Sequence, residues 1–173
     1  MDEAALVARA AAGDQRAFAT LMAPYRDRLW AVCLRTTRHR GDAEDALQEA
    51  LVAVWHGLER FRGDSAFSSW CHRIAVNAAL QVIRRRKEAE ELPEEWSDEH
   101  PQVADFSDGL ADRDRVQAAL AQVPEAFRVA LVLREFGDLS YEEIAAHQGI
   151  LVDTVKSRIS RARAALRKAL AEA

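Results

Sequence analysis

Basic side chains dominate the last part of the chain. Between Thr154 and Ala171 there are six lysine or arginine residues and no aspartate or glutamate. A helix that faces only water normally carries both signs of charge. A helix that binds nucleic acid needs cations to neutralise phosphates and polar side chains to read base edges. We therefore favour recognition of a DNA major groove here, with a merely solvated face as the alternative.

A second candidate surface lies near the middle of the chain. Trp70, Arg73 and Asn77 fall on one side of a predicted helix that ends in the basic run 84–87. An aromatic ring beside cations can stack bases and neutralise phosphates. Cations at a helix C-terminus are also stabilised by the helix dipole, by about 0.3–1 kcal/mol. The residues alone leave both interpretations open.

The two cysteines do not form a pattern that supports catalysis or metal binding. Cys33 and Cys71 lack metal-ligand spacing, and the adjacent pair Cys71 and His72 suits neither a chelate nor a nucleophile with its base. The sequence also has no phosphate-binding glycine loop and no hydrolase motif. We expect both cysteines to be buried as small apolar residues, with no catalytic residue, no metal site and no cofactor.

Composition and charge divide the chain of 173 residues. Only 7 glycines and 4 prolines occur, which favours an all-α fold. The formal net charge is −4, and the charge is unevenly distributed. Residues 1–88 have 14 basic and 11 acidic side chains, and residues 113–173 have 10 basic and eight acidic ones. Residues 89–112 have nine acidic side chains and no basic one. We predict two small helical domains, 1–88 and 113–173, joined by a flexible acidic linker, 89–112.

The first domain contains one especially clear amphipathic pattern. Asp42 is a good N-cap residue, and apolar residues at helical spacing follow it to Phe61. A short loop, 61–69, ends in residues that favour helix capping, and a helix is expected from Trp70 to about Lys87. No secretory signal or membrane-spanning run is found, so a cytoplasmic protein without membrane insertion is expected.

The second domain has the pattern of a helix-turn-helix. Ser140 and Glu143 form a capping box before a short helix that stops near Gly149, and Asp153 is placed to cap a longer one. The longer helix has one apolar seam: Val155, Ile159, Ala162, Leu166 and Leu170. Its polar and basic residues are therefore expected on the surface.

Together these stretches resemble the sigma-70 family of bacterial RNA polymerase initiation factors, specifically its small extracytoplasmic-function group. The resemblance rests on GDQRAFATLMAPYRDRL (13–29), DAEDALQEALVAVW (42–55), FSSWCHRIAVNAALQVIRRRK (67–87) and LSYEEIAAHQGILVDTVKSRISRARAALRKAL (139–170). The matching stretches cover both predicted domains in the family's order.

The resemblance implies three binding surfaces and no catalysis by the chain itself. Residues expected to dock on the clamp helices of core RNA polymerase are Asp45, Gln48, Glu49 and Val52. Residues expected at the −10 promoter element are Phe61, Arg62, Ser65, Phe67, Trp70, Arg73, Asn77 and Arg84. Residues expected to read the −35 duplex are Thr154, Lys156, Ser157, Arg158, Arg161 and Arg163.

The resemblance also implies partners and a role for the linker. The expected partners are core RNA polymerase, through its clamp helices and flap, promoter DNA and an anti-sigma factor. Sites about 20–25 base pairs apart are separated by about 70–85 Å. A fully extended chain of residues 89–112 reaches about 80–86 Å, so the linker is long enough.

Four positions depart from the family's pattern, and two other functions stay open. Ala50 and Cys71 stand where larger apolar residues are common. Gln81 stands where aspartate is usual, and Asp153 where glycine is usual; we expect Asp153 to change only the helix cap. The alternatives are a helix-turn-helix regulator that acts without core polymerase and a helical interaction module that binds no DNA. A gel-shift assay together with run-off transcription by purified core enzyme would separate all three.

Overall fold

The structure is a computed structural model that describes residues 2–91 and 110–172, and within them it contains helices and no strand. The helices are α1 Glu3–Ala11, α2 Gln15–Met22, α3 Arg26–Thr37, α4 Arg40–Gly57, α5 Phe67–Glu90, α6 Leu110–Ala121, α7 Glu125–Glu135, α8 Tyr141–Gln148 and α9 Val152–Glu172. A single 3-10 turn, Leu58–Arg60, follows α4. The prediction of an all-α fold is confirmed.

The N-terminal module is a bundle in which α3, α4 and α5 pack on one another. Small side chains such as Ala46, Ala50 and Ala75 are fully buried and let the helices approach closely. Cys33 and Cys71 are free, fully buried thiols, as predicted. Burial raises the pKa of each to about 12, because the charged thiolate is disfavoured away from water.

The C-terminal module is a helix-turn-helix packed on further helices. Helices α6, α7 and α8 all contact α9. Ser140 accepts a hydrogen bond from the Glu143 N–H at 3.1 Å, and the Glu143 carboxylate accepts one from the Ser140 N–H at 2.8 Å. Gly149 ends α8 in the left-handed conformation, at φ 65°, which glycine adopts without steric strain. The predicted capping box is confirmed.

Three helix starts differ from the sequence-based expectation. The N-cap of α4 is His39, and Asp42 is its third residue, where its carboxylate accepts a hydrogen bond from Arg86 at 2.8 Å. Helix α5 starts at Phe67, before the expected Trp70, with no side-chain cap. In α9, the Leu151 carbonyl accepts the first helical bond, from Val155. Asp153 is therefore not the cap but the second helical residue.

The predicted linker, 89–112, is helical at both of its described edges. Helix α5 continues to Glu90, and α6 begins at Leu110. Residues 92–109, which hold most of the acidic side chains of the predicted linker, lie outside the described residues.

The two modules pack against each other along α3, α5 and α7. The guanidinium of Arg35 lies 4.1 Å from the centre of the Phe136 ring. Arg28 pairs with Asp138 at 2.6 Å, and the Gln117 amide donates to the Leu34 carbonyl at 2.6 Å. We call this contact zone the intermodule interface.

Candidate nucleic-acid interface

The outer face of α4 carries the residues expected to dock on a protein partner. Asp45, Gln48 and Val52 are exposed, and Val52 keeps 56% of its accessible surface. Glu49 is half-buried and forms an ion pair with Arg85 of α5. Since the helix spacing places these four side chains within two turns, they form one acidic and apolar patch, which we call the α4 patch.

An aromatic cluster supports the loop that precedes α5. The centroid of the Phe61 ring lies 5.0 Å from that of Trp70 and 5.4 Å from that of Phe67. The Tyr25 ring packs edge-on against Phe67. Trp70 also covers Gly57, where a β-carbon would lie 2.9 Å from the indole ring. The loop is therefore held by aromatic side chains of α5 and of the segment before α3.

Exposure separates the members of this cluster. Phe61 and Trp70 are half-buried, so each ring keeps one accessible part, whereas Phe67 is only 3% exposed. Sequence reasoning placed Phe67 at the −10 element, but its side chain does not reach the surface in this structure. It lies beneath the two rings that do.

Two polar residues of α5 beside the aromatic cluster, Arg73 and Asn77, already have hydrogen-bond partners. Arg73 donates a hydrogen bond to the Ser65 hydroxyl at 2.8 Å, which ties α5 to the loop. Asn77 lies 2.8 Å from His147 of α8, across the intermodule interface. Arg62 and Arg84 are exposed at the two ends of the surface. We call the surface formed by the following residues the α5 surface: Phe61, Arg62, Ser65, Trp70, Arg73, Asn77 and Arg84.

Two histidines lie at the intermodule interface. His72 is fully buried. Burial lowers the pKa of His72, with the nearby Arg28 adding to the effect and Asp138 opposing it. Burial also lowers the pKa of His147, and Arg73 adds to it. The packed arrangement therefore favours the neutral form of both rings.

Helix α9 presents the second predicted nucleic-acid surface, which we call the α9 surface. Thr154, Lys156, Ser157 and Arg161 are exposed, while Val155 and its apolar neighbours face the core. Arg158 is half-buried and donates to the Gln148 side chain at 3.1 Å. The cations and hydroxyls are thus displayed on a rigid helix, as recognition of a groove requires.

Arg163 is the exception among the predicted duplex-reading residues. Its guanidinium turns towards α7 and binds the Glu135 carboxylate. This hydrogen bonding raises the pKa of Arg163, because it stabilises the charged form. Arg163 is consequently less available for a phosphate than Arg161.

Sequence reasoning missed the contacts between the modules. His147, Gln117 and Asp138 all bind residues of the N-terminal module, and nothing in their local pattern marks them as interface residues. The sequence could have drawn attention only to His72, a histidine inside an apolar helical stripe.

Other kinds of site find no support within 2–91 and 110–172. In these residues, no group of three or more histidine, cysteine, aspartate or glutamate side chains could hold a metal ion. None of the helices there has both the length and the apolar character that crossing a bilayer requires.

Two family descriptions match the chain, one for each module. The family described as Sigma-70 region 2 matches residues 21–89. The family described as Sigma-70, region 4 matches residues 113–166. The first range contains the α4 patch and the α5 surface, and the second contains the helix-turn-helix.

Curated proteins are similar over almost the whole chain. RNA polymerase sigma-H factor of Pseudomonas aeruginosa is 39% identical, over 95% of this chain and 92% of that protein. ECF RNA polymerase sigma factor SigM of Mycobacterium tuberculosis is also 39% identical, over 97% and 84%. ECF RNA polymerase sigma-E factor of Escherichia coli is 37% identical, over 93% and 90%.

Two solved structures share the fold. CnrH in complex with the cytosolic domain of CnrY is 30% identical, with a TM-score of 0.70, over 96% of each chain. The sigma factor RpoE in complex with the anti-sigma factor NepR, from Bartonella quintana, is 26% identical with a TM-score of 0.70. That match covers 88% of this chain and 96% of RpoE.

Proposed function

This chain belongs to the sigma-70 family of RNA polymerase sigma factors, in its extracytoplasmic-function group, and from this premise we propose how its surfaces divide the work of promoter recognition. The protein directs core RNA polymerase to specific promoters. The observation that carries this conclusion is the presence of regions 2 and 4, in that order, on the two folded modules.

We assign binding of core polymerase to the α4 patch. Asp45, Gln48 and Val52 are exposed on one helix face beside Glu49, and an exposed valine among acids suits a protein partner with a basic and apolar surface. The partner that the family provides is the clamp-helix pair of the polymerase. The polymerase flap is the partner that we assign to the C-terminal module.

We assign opening of the −10 element to the α5 surface. Unstacking a base takes a few kcal/mol per step, so a protein that traps one needs a firm pocket and an aromatic face. The half-buried Phe61 and Trp70 offer such faces, and Arg62 and Arg84 supply positive charge for phosphates. Phe67 supports this pocket from beneath.

We assign reading of the −35 duplex to the α9 surface. Thr154, Lys156, Ser157 and Arg161 are exposed on the second helix of a helix-turn-helix, which is the element that enters the major groove in such motifs. Arg158 lies at the edge of this surface. Arg163 contributes less, because Glu135 occupies its guanidinium.

The remaining assignments follow from the family. We propose that an anti-sigma factor regulates the protein, since one structural relative is bound to NepR. We assign no catalytic step to the chain, because the polymerase carries out RNA synthesis. We place the protein in the cytoplasm, where polymerase and promoter DNA meet.

The deciding experiment is transcription from promoters selected with purified core enzyme. The protein with core polymerase should start specific transcripts, and the free protein should bind the same promoters weakly. Asp45→Arg should reduce affinity for core by at least about tenfold, because it reverses a charge in the docking patch. Affinity can be measured by fluorescence titration of labelled protein with core enzyme.

Asp27→Arg is the matched control. Asp27 is also an exposed aspartate in the N-terminal module, but it lies in the first turn of α3. It should leave core affinity unchanged. Equal core affinity for the wild type and Asp45→Arg would remove the α4 assignment. Tight promoter binding by the free protein, without transcription in the presence of core enzyme, would favour a regulator that acts without polymerase.

A further inference from the structure

We propose that Asp153 determines promoter specificity, by accepting a hydrogen bond from the exocyclic N4 amine of a cytosine in the upstream promoter duplex. The inference rests on the proposed role of the α9 surface in reading that duplex. It concerns a residue that the sequence pattern assigned only to helix capping.

The geometry frees Asp153 from the capping role. Helix α9 begins at Val152, and its first bond joins the Val155 N–H to the Leu151 carbonyl at 3.1 Å. The Asp153 side chain is 96% exposed, and its ion pair with Lys156 is long, at 3.9 Å. The carboxylate is therefore open to a partner outside the chain.

Asp153 lies on the outward face of the recognition helix. Asp153, Ser157 and Arg161 follow one another at intervals of four residues, so they share one stripe of the helix. The buried residues Val155 and Ile159 lie on the opposite side. In helix-turn-helix proteins, the N-terminal residues of this helix contact base edges. Asp153 is in the first turn, at that end.

Electrostatics restricts what Asp153 can contact in DNA. A carboxylate is repelled by phosphates and by the acceptor atoms of guanine and thymine, so it needs a hydrogen-bond donor. The major groove offers two such donors, the N4 amine of cytosine and the N6 amine of adenine. In adenine the N7 acceptor lies beside the amine and repels a carboxylate, whereas the major-groove edge of cytosine has no acceptor. Cytosine is the better partner.

A purely structural role makes a different prediction. An aspartate in the first helical turn interacts favourably with the helix dipole, and that contribution is the same on every promoter. Loss of the dipole interaction would weaken binding to all sequences alike. A base contact would change the preference at a single position.

The test is promoter selection with reconstituted holoenzyme. A promoter library with a randomised upstream element is bound by holoenzyme that contains wild-type protein, Asp153→Asn or Asp153→Ala, and bound DNA is sequenced. Wild type should select cytosine at one position by about 5- to 150-fold, the range of a good base contact. Asp153→Asn should change that preference to adenine, because an amide can pair with both N6 and N7. Asp153→Ala should lose it.

A modified base checks the contact directly. N4-methylcytosine at the selected position replaces the free amine hydrogen by a methyl group. It should weaken binding of wild type and leave Asp153→Ala unaffected. Asp27→Asn is the control variant, since Asp27 is likewise exposed in the first turn of a helix; it should reproduce the wild-type preferences.

The outcomes separate this inference from the proposed function. Identical preferences for wild type and Asp153→Asn would overturn it, and so would a uniform loss across all positions or a wild-type preference for adenine. Failure of the wild-type protein to direct any transcription with core enzyme would instead overturn the proposed function. Thermal melting of each variant confirms that it is folded.

Discussion

The α5 and α9 surfaces are built in different ways. On α5, Asn77 contacts His147 of the other module, and Arg73 is held by Ser65 of the preceding loop. On α9, the exposed polar residues all come from one helix. The first surface combines a loop with a helix and includes a contact to the other module, whereas the exposed residues of the second lie on a single helix.

This difference follows the two kinds of DNA that the surfaces are proposed to bind. A base that leaves its stack needs a rigid pocket, because the enclosing side chains must offset the loss of stacking. A duplex groove needs only a helix of suitable size with exposed polar side chains. The aromatic cluster around Phe67 supplies rigidity on α5, and helix-turn-helix packing supplies orientation on α9.

The packed arrangement of the modules also affects the two surfaces unequally. The intermodule interface engages Asn77 on the α5 surface, whereas the exposed residues of α9 lie outside it. Asn77 can contact promoter DNA only if its contact with His147 breaks. We therefore infer that the modules separate when the protein functions.

The largest predicted effect comes from removing the support of the α5 surface. Phe67→Ala should lower the free energy of unfolding by about 3–5 kcal/mol, because it leaves a cavity beneath Phe61 and Trp70. It should also abolish promoter opening. Urea denaturation measures the first effect, and permanganate reactivity of unpaired thymines in the holoenzyme complex measures the second.

Phe67→Leu is the conservative companion variant. Leucine keeps much of the side-chain volume of phenylalanine, so this variant should lower the free energy of unfolding by less than Phe67→Ala does. If Phe67→Ala opened promoters as well as wild type, the α5 surface would not depend on its buried support, and the contrast with α9 would disappear.

A smaller effect should distinguish two arginines of α9. Arg161→Ala should weaken binding of holoenzyme to the upstream duplex by about 1–3 kcal/mol if Arg161 reads a base. Arg163→Ala should weaken it less, because Glu135 already binds that guanidinium. Competition binding at one fixed salt concentration compares the affinities of the two variant holoenzymes for the upstream duplex. A larger loss for Arg163→Ala would show that its pairing with Glu135 breaks on DNA.

The smallest effect should be a pH dependence of the intermodule interface. Burial lowers the pKa of His72 and of His147 in the packed arrangement, so protons bind more readily when the modules separate. Packing should therefore be strongest above about pH 6.5 and weaken as the pH falls towards the lowered values. Small-angle X-ray scattering of the free protein should show an increase in the radius of gyration over this range.

His147→Gln provides the comparison for this titration. The variant removes one titrating ring and retains an amide that can reach Asn77, so it should expand less on acidification. His56→Gln is the control, because His56 is exposed on α4. The radius of gyration of this variant should change with pH as that of the wild type does. Equal expansion of wild type and His147→Gln would exclude a role for His147.

Much of the local structure was predictable from residue patterns. The capping box at Ser140 and the apolar seam of α9 depend on neighbours within one or two turns, and the capping box is present. Of the predicted seam, Val155, Ile159 and Ala162 are buried, whereas Leu166 and Leu170 are half-buried. Burial of Cys33 and Cys71 also followed from their apolar surroundings. The family could be named because its motifs occur in order along the chain.

Helix starts were less predictable, because several residues can cap the same turn. Asp42 and Asp153 are both good capping residues, yet His39 and Leu151 occupy those positions. In each case the helix begins earlier than local propensity alone indicates. Asp42 binds Arg86 of a neighbouring helix instead, and Asp153 remains exposed to solvent.

The sequence by itself determined the all-α fold class and the family, because helix periodicity and motif order are local properties. Only the tertiary structure decided which candidate residues reach solvent and which are buried or engaged. It buried Phe67, turned Arg163 towards Glu135 and brought Asn77 to His147. These outcomes depend on contacts between residues far apart in the chain, whose free energies no local pattern contains.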